Sequence, residues 1–160
     1  MALNLRAGSS FIPGYQYSAT YSWNVDVPTG TGILGIFNPT TKQVGIIDIA
    51  CGGWTNNKTT QNSFIIYKAS AISGGTSITP ARLDSTDPVA SALIRAGGTW
   101  TLGNQFHAFT LSFGNGFCYT PISLPTEMIL NQNEGLVIVF TSESSTSTFL
   151  PNASFMWYEV

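Results

Sequence analysis

Charged side chains are scarce in this sequence. Of its 160 residues only 9% are Asp, Glu, Lys or Arg, and the formal net charge is −2. An average soluble domain carries roughly 25% charged residues. The six basic residues are scattered and form no stripe, so direct binding to nucleic acid is not expected. An uncharged polar surface repels copies of itself only weakly, which suits a protein that works within an assembly.

Cysteine, histidine and long apolar runs are also scarce. Cys51 and Cys118 sit beside apolar positions of expected strands, so we expect buried free thiols rather than a disulfide. With a single histidine, His107, they do not make a zinc site, and no acidic run has calcium-loop spacing. No apolar run reaches the roughly eighteen residues of a membrane helix, and the start lacks the apolar core of a signal peptide. We therefore expect synthesis in a cytoplasm, with no metal, no cofactor and no membrane partner.

What the sequence does contain is a succession of short apolar segments, rich in β-branched residues and separated by turn residues. Turn signals recur about every ten residues, which is typical of a β-sandwich or barrel. We predict an all-β protein, a jelly-roll-like β-sandwich of eight to ten short antiparallel strands. One sandwich domain is expected over residues 19–160, preceded by an N-terminal arm over residues 1–18.

The segment 33–51 is predicted to lie at the centre of the sandwich. Two apolar runs, 33–37 and 44–51, flank a turn that contains Pro39. Both faces of the second run are mostly apolar, which is the mark of a strand covered on both sides. We interpret the two runs as the strands of one hairpin.

Other strands are predicted from alternation and turn chemistry. Strict alternation of apolar and polar residues predicts a strand over 20–27. The weak strand around Pro80 is expected at a sheet edge, because proline cannot donate to a ladder. The Asn115-Gly116 pair predicts a hairpin between the strands on either side of it.

One short helix is predicted over residues 88–96. Asp87 is a suitable N-cap, Pro88 suits the first helical position and Gly97 suits the C-terminal stop. We place this helix inside a crossover connection between strands.

No residue pattern points to catalysis. His107 lies in an expected strand, on the same face as Phe109 and Leu111, and the sequence supplies it with no nucleophile. We interpret it as a structural histidine with a hydrogen-bond partner. None of the glycine-rich pieces opens a βαβ unit, so a phosphate-binding loop is not expected. The chain is not expected to be an enzyme.

The aromatic residues are the remaining candidates for function. Trp54, near Asn56 and Asn57 in an expected polar loop, can stack on a sugar ring; alternatively it covers one end of the sandwich. Aromatic residues are also enriched in subunit interfaces. The candidate interface residues lie near the two ends of the chain: Phe11, Tyr15, Tyr17, Trp157 and Tyr158.

The order of several segments resembles a known family. A Leu/Ile-rich run ends in Asn-Pro (34–39), and a turn with Lys42 leads to a hydrophobic strand (44–49). Much later come NEGLVI (133–138) and the closing FMWYE (155–159). From about residue 20 onward, this order resembles small β-sandwich virion proteins of tailed bacteriophages, which decorate the capsid or form part of a tail or fibre.

The resemblance implies a homotrimeric jelly roll without catalysis, made in the host cytoplasm and located in the virion. Its expected partners are other copies of itself and the major capsid protein or a tail protein. Such proteins have no catalytic motif, so no site residue is implied. The alternative is a receptor- or glycan-binding module of a phage fibre, with a host surface glycan as its ligand.

Overall fold

All regular structure in the described part of the chain is β-sheet. The computed structural model describes residues 4–5, 11–12, 14–55, 61–112, 116–122, 128–142 and 149–160. These ranges contain no helix, and therefore none that could span a membrane. The strands are β1 (Asn4–Leu5), β2 (Phe11–Ile12), β3 (Tyr15–Ser22), β4 (Gly32–Asn38), β5 (Val44–Thr55), β6 (Gln61–Ser73), β7 (Thr76–Ile78), β8 (Ala81–Arg82), β9 (Leu93–Ala96), β10 (Thr99–Ser112), β11 (Gly116–Ile122), β12 (Met128–Leu130), β13 (Glu134–Ser142) and β14 (Phe149–Glu159).

Two antiparallel sheets form a sandwich. Sheet I has the strand order β10-β6-β13-β4-β9-β7, and sheet II has the order β11-β5-β14-β3-β8, with β12 also paired to β5. The short strands β1 and β2 pair only with each other among the described pairings. Apolar side chains from both sheets meet in one core cluster between them. The predicted all-β sandwich is therefore confirmed.

Eight of the strands follow the winding of a jelly roll. The first arm, β3-β4-β5-β6, pairs strand by strand with the returning arm: β3 with β14, β4 with β13, β5 with β11 and β6 with β10. Successive strands of each arm fall in alternate sheets, so the double ribbon is rolled up. The pairs β14–β5 and β13–β6 then complete the two sheets. This is the jelly-roll arrangement expected from the sequence.

The predicted hairpin over 33–51 is wrong, because β4 lies in sheet I and β5 in sheet II. One face of each run packs in the core between the sheets, and part of the other face is covered by an aromatic ring, Trp100 at Gly35 of β4 and Tyr158 at Gly45 of β5. The turn between them is a corner held by the buried side chain of Asn38. Its amide donates to the Lys42 carbonyl (2.7 Å) and the Leu130 carbonyl (3.0 Å), and its oxygen accepts from the Thr40 N–H (3.1 Å).

The hairpin predicted at Asn115-Gly116 is wrong for the same reason. The strand before it, β10, pairs with β6 in sheet I, whereas β11 pairs with β5 in sheet II. Both strands belong to the returning arm of the roll, so the chain changes sheet between them.

The first long strand starts earlier than the alternation predicts. β3 spans Tyr15–Ser22 and pairs with β14 along its whole length. After Ser22 the chain leaves the sheet, and Val25, one of the apolar residues whose alternation predicted a strand over 20–27, is exposed. The predicted boundary between arm and sandwich, after residue 18, falls inside this strand.

The predicted helix over 88–96 is also wrong. Residues Leu93–Ala96 form β9, which lies between β4 and β7 in sheet I. Ile94 and Ala96 are buried while Leu93 is exposed, so this segment alternates with a period of two. Hydrogen bonds to two neighbouring strands outweigh local capping signals here.

The prediction that Pro80 marks an edge is confirmed. β7 precedes Pro80 and is the edge strand of sheet I, and β8 follows it and is an edge strand of sheet II. The proline thus lies where the chain crosses from one sheet to the other.

Candidate functional site

Residues 83–92, which connect β8 in sheet II to β9 in sheet I, are anchored by a buried carboxylate. Glu159 is 1% exposed and accepts hydrogen bonds from the backbone N–H groups of Ser91 (2.9 Å) and Ala92 (2.9 Å). The Ser91 hydroxyl and the Trp157 indole N–H (3.3 Å) also donate to it. A buried carboxylate with this many donors is well satisfied. Because it is closed to solvent, it cannot act on an external substrate.

Tyr17 forms a second anchor for the same connection. Its hydroxyl donates to the Pro88 carbonyl (3.0 Å), and its ring stacks on Trp157 with 5.7 Å between ring centroids. Burial, together with the negative charges of Glu159 and Asp87, raises the pKa of Tyr17 to about 12. The phenol is therefore neutral at physiological pH and remains a hydrogen-bond donor.

Arg82 holds the middle of the connection. Its guanidinium donates to the carbonyls of Asp87 (2.7 Å) and Ser85 (3.4 Å). Asp87, expected to cap a helix, instead is buried with its Oδ2 atom unpartnered. The N–H groups of residues 91 and 92, which a helix starting at residue 88 would bond to its own first carbonyls, bind Glu159 from the far end of the chain instead. Glu159, Tyr17 and Arg82 together anchor residues 83–92 to the rest of the fold.

Strands of sheet I line a shallow groove of about 290 Å³. It lies between β6, the irregular part of β10 and the turn before β13, and Lys68, Asn104 and Glu134 supply polar groups to it. Glu134 is held in place by the backbone N–H of Asn131 (2.8 Å). The described lining contains no aromatic side chain, so it offers no stacking surface for a sugar ring.

The outer face of sheet I carries a second apolar cluster. Val137 and Val139 of β13 are buried there under Tyr67 and Trp100. The Trp100 ring lies so close to β4 that a Cβ added to Gly35 would overlap it. Outer faces of sandwich strands are usually polar. Here the chain covers part of this apolar face with its own tryptophan.

Trp54 lies on β5 rather than in a loop, because that strand continues to Thr55. Its backbone is in register with Phe117 of β11 and Leu150 of β14. The side chain is 41% exposed, so it has a free surface that a ligand can reach. Asn56 and Asn57, which were predicted to accompany it, lie outside the described residues.

Three of the five predicted interface aromatics are core residues. Tyr17 and Trp157 are 0% exposed and point between the sheets, and Tyr158 is buried over Gly45. Their assignment to a subunit surface is corrected accordingly, because a side chain enclosed by its own chain cannot contact another. Tyr15 is 41% exposed. The side chain of the fifth residue, Phe11, lies outside the described part of the chain.

The titratable residues form no metal site in the described ranges, where no three His, Cys, Asp or Glu side chains come together. His107 is exposed on β10. Cys51 is buried as a free thiol, as expected, and burial raises the pKa of that thiol. The side chain of Cys118 lies outside the described residues.

The role of Glu159 was not predicted from the sequence. A signal was present, since an acidic residue follows directly on the apolar pattern of a closing strand and must find donors if it is buried.

Comparison of the chain with protein-family models, curated proteins and solved structures found no match.

Proposed function

We propose that this chain is a structural protein of a bacteriophage virion, which self-associates and decorates or stabilises the capsid or forms part of the tail. The observation that carries the proposal is the jelly-roll winding, an architecture used by viral capsid and lectin domains. A homotrimer is the expected unit, bound to the major capsid protein or a tail protein. In this proposal the chain is made in the host cytoplasm and works without catalysis or a cofactor.

The surface supports contact with other proteins by apolar burial. Three chain segments lie side by side at this end of sheet II. The Leu83 N–H donates to the Gln16 carbonyl. Tyr15, the residue before Gln16, pairs with Glu159, and Val160 follows Glu159. Tyr15, Leu83 and Val160 are all exposed. Single exposed apolar residues are common on proteins, and these three lie on adjacent chain segments, where a partner would bury them.

Light scattering on the full chain tests self-association. We expect a mass that is a multiple of the monomer mass of 17.1 kDa, with three copies as the expected number. A single species at the monomer mass at every concentration would count against the proposal.

A second candidate, a glycan-binding module, is favoured by the exposure of Trp54. A flat indole with 41% of its surface free can stack on a sugar ring, and lectin domains share the jelly-roll architecture. A glycan array separates the two candidates. Trp54→Ala should abolish binding, while Tyr15→Ala, a change at an equally exposed aromatic residue, should leave it intact.

A further inference from the structure

The two sides of the sandwich end in very different edge strands. On one side the edges are β7, with three residues, and β8, with two, and Pro80 lies between them. Very short strands and proline are devices by which proteins prevent an edge from pairing with another chain. This side of the sandwich is therefore protected.

On the other side the edges are long. β10 has 14 residues and β11 has seven, and among the described pairings β10 pairs only with β6 and β11 only with β5. Along β10 the residues from Thr101 to Gln105 are exposed, including the large apolar side chain of Leu102. A sheet edge of this length presents unpaired backbone donors and acceptors to a partner strand.

The β10 edge also lacks the usual protection by charge or proline. No Asp, Glu, Lys or Arg occurs from residue 96 to residue 126, although charged residues are present on both sides of that run. β10 contains no proline. Its irregular pairing is confined to residues 101–107, and from His107 to Ser112 it runs in unbroken register with β6. Residues 107–112 are thus a regular, neutral stretch of edge.

We infer that residues 107–112 of β10 form a contact between two copies of this chain. Two such edges pair antiparallel about a two-fold axis, so that the two copies of sheet I become one continuous sheet. The inference rests on the proposed self-association and names its surface. Because the contact is two-fold, it joins copies in pairs in addition to any three-fold contact of the assembly.

A second copy fits this edge better than a different partner does. Antiparallel pairing about a two-fold axis matches the donors and acceptors of one edge with those of an identical edge. No Asp, Glu, Lys or Arg lies on this edge, so the pairing brings no such like charges opposite each other. A partner of another kind is commonly selected by complementary charge, and this edge offers none.

A pair of matched variants tests the inference. Ala108 on β10 and Ala81 on β8 are both exposed alanines on edge strands. Ala108→Lys places like charges on the two facing edges and should weaken association by at least about tenfold in sedimentation velocity, since opposed like charges cost several kcal/mol. Ala81→Lys changes the charge equally on the protected side and should leave the association constant unchanged.

Mixing provides a control for folding. Ala108→Lys and Ala108→Glu should each associate more weakly than the wild-type chain, and an equimolar mixture should regain the lost affinity, because opposite charges are then brought together across the contact. Restoration on mixing cannot arise from a variant that is merely unfolded. As a measurement without any variant, amide exchange in residues 107–112 should slow as the wild-type concentration rises, while exchange in the interior strand β6 should not.

The outcomes distinguish this inference from the proposed function. A wild-type oligomer whose mass and affinity are unaffected by Ala108→Lys would overturn the β10 contact and leave self-association standing. Absence of concentration-dependent protection in residues 107–112 of that oligomer would overturn it as well. A wild-type chain that stays monomeric at every concentration would contradict both the β10 contact and the proposed self-association.

Discussion

The anchor at Glu159 gives the sharpest stability prediction. Replacing Glu159 with alanine removes the acceptor for the N–H groups of Ser91 and Ala92, for the Ser91 hydroxyl and for the Trp157 indole. Each buried donor left without a partner costs about 1–3 kcal/mol. Ser91 is only partly buried, so water can satisfy part of the loss.

We therefore expect Glu159→Ala to lower the free energy of unfolding by about 3–5 kcal/mol. This is a large share of the 5–15 kcal/mol that is typical of native proteins. Glu159→Gln keeps one acceptor oxygen and should cost roughly half as much, about 1–3 kcal/mol. The order of the two variants follows from the number of donors that each leaves satisfied.

Urea denaturation followed by tryptophan fluorescence measures these changes, and Trp157 itself reports on the anchor. A loss of this size should lower the midpoint by about 2 M at ordinary denaturant sensitivity. Glu134→Ala is the matched control, since that carboxylate is partly exposed and binds Asn131 at the surface. If Glu159→Ala shifts the midpoint no further than Glu134→Ala does, the assignment of Glu159 as an anchor is refuted.

Three further predictions test burial and packing. The pKa of Tyr17 is about 12 in the folded chain against an ordinary value of 10.0. The unfolded state therefore loses its proton first, so the stability that Tyr17 contributes should be steady below pH 10 and fall between about pH 10 and 12. Tyr17→Phe should make that fall shallower in urea midpoints measured across the range, and an unchanged slope would contradict it. Gly45→Ala should cost about 1–3 kcal/mol, because an added Cβ would overlap the buried Tyr158 ring, and a midpoint equal to wild type would show that the ring moves freely. The Cys51 thiol should react with an alkylating reagent only after unfolding, as mass mapping would show, and rapid labelling of the native chain would contradict its burial.

The strands could be predicted from the sequence, but their distribution between the sheets could not. Alternation and β-branched runs report on which segments are extended and buried. They do not report which sheet a segment joins, because strands of both sheets turn an apolar face to the same core. The corner at Asn38 shows this, since one of its hydrogen-bond partners, the Leu130 carbonyl, lies 92 residues away along the chain.

The predicted helix shows the limit of local capping signals. Asp87, Pro88 and Gly97 are sound start and stop residues, but their contributions are small beside two flanking strands and a buried carboxylate that binds the N–H groups of residues 91 and 92. Gly97 does end the element, with φ at +70°, although the element is a strand.

The candidate interface shows the corresponding limit for surfaces. Composition identifies aromatic residues but not their direction, and Trp157 turned inward while Tyr15 remained exposed. The position of a side chain between two sheets depends on register with strands that are distant in sequence. The uncharged run from residue 96 to 126, by contrast, is visible in the sequence and gains its meaning only once β10 is known to be an edge.

Self-association is tested most directly by sedimentation equilibrium of the intact wild-type chain over a wide range of concentration. We expect a reversible rise in mass above 17.1 kDa, since a charge-poor jelly roll with an open β10 edge should associate with its own copies. A constant mass equal to one chain at every concentration would contradict it.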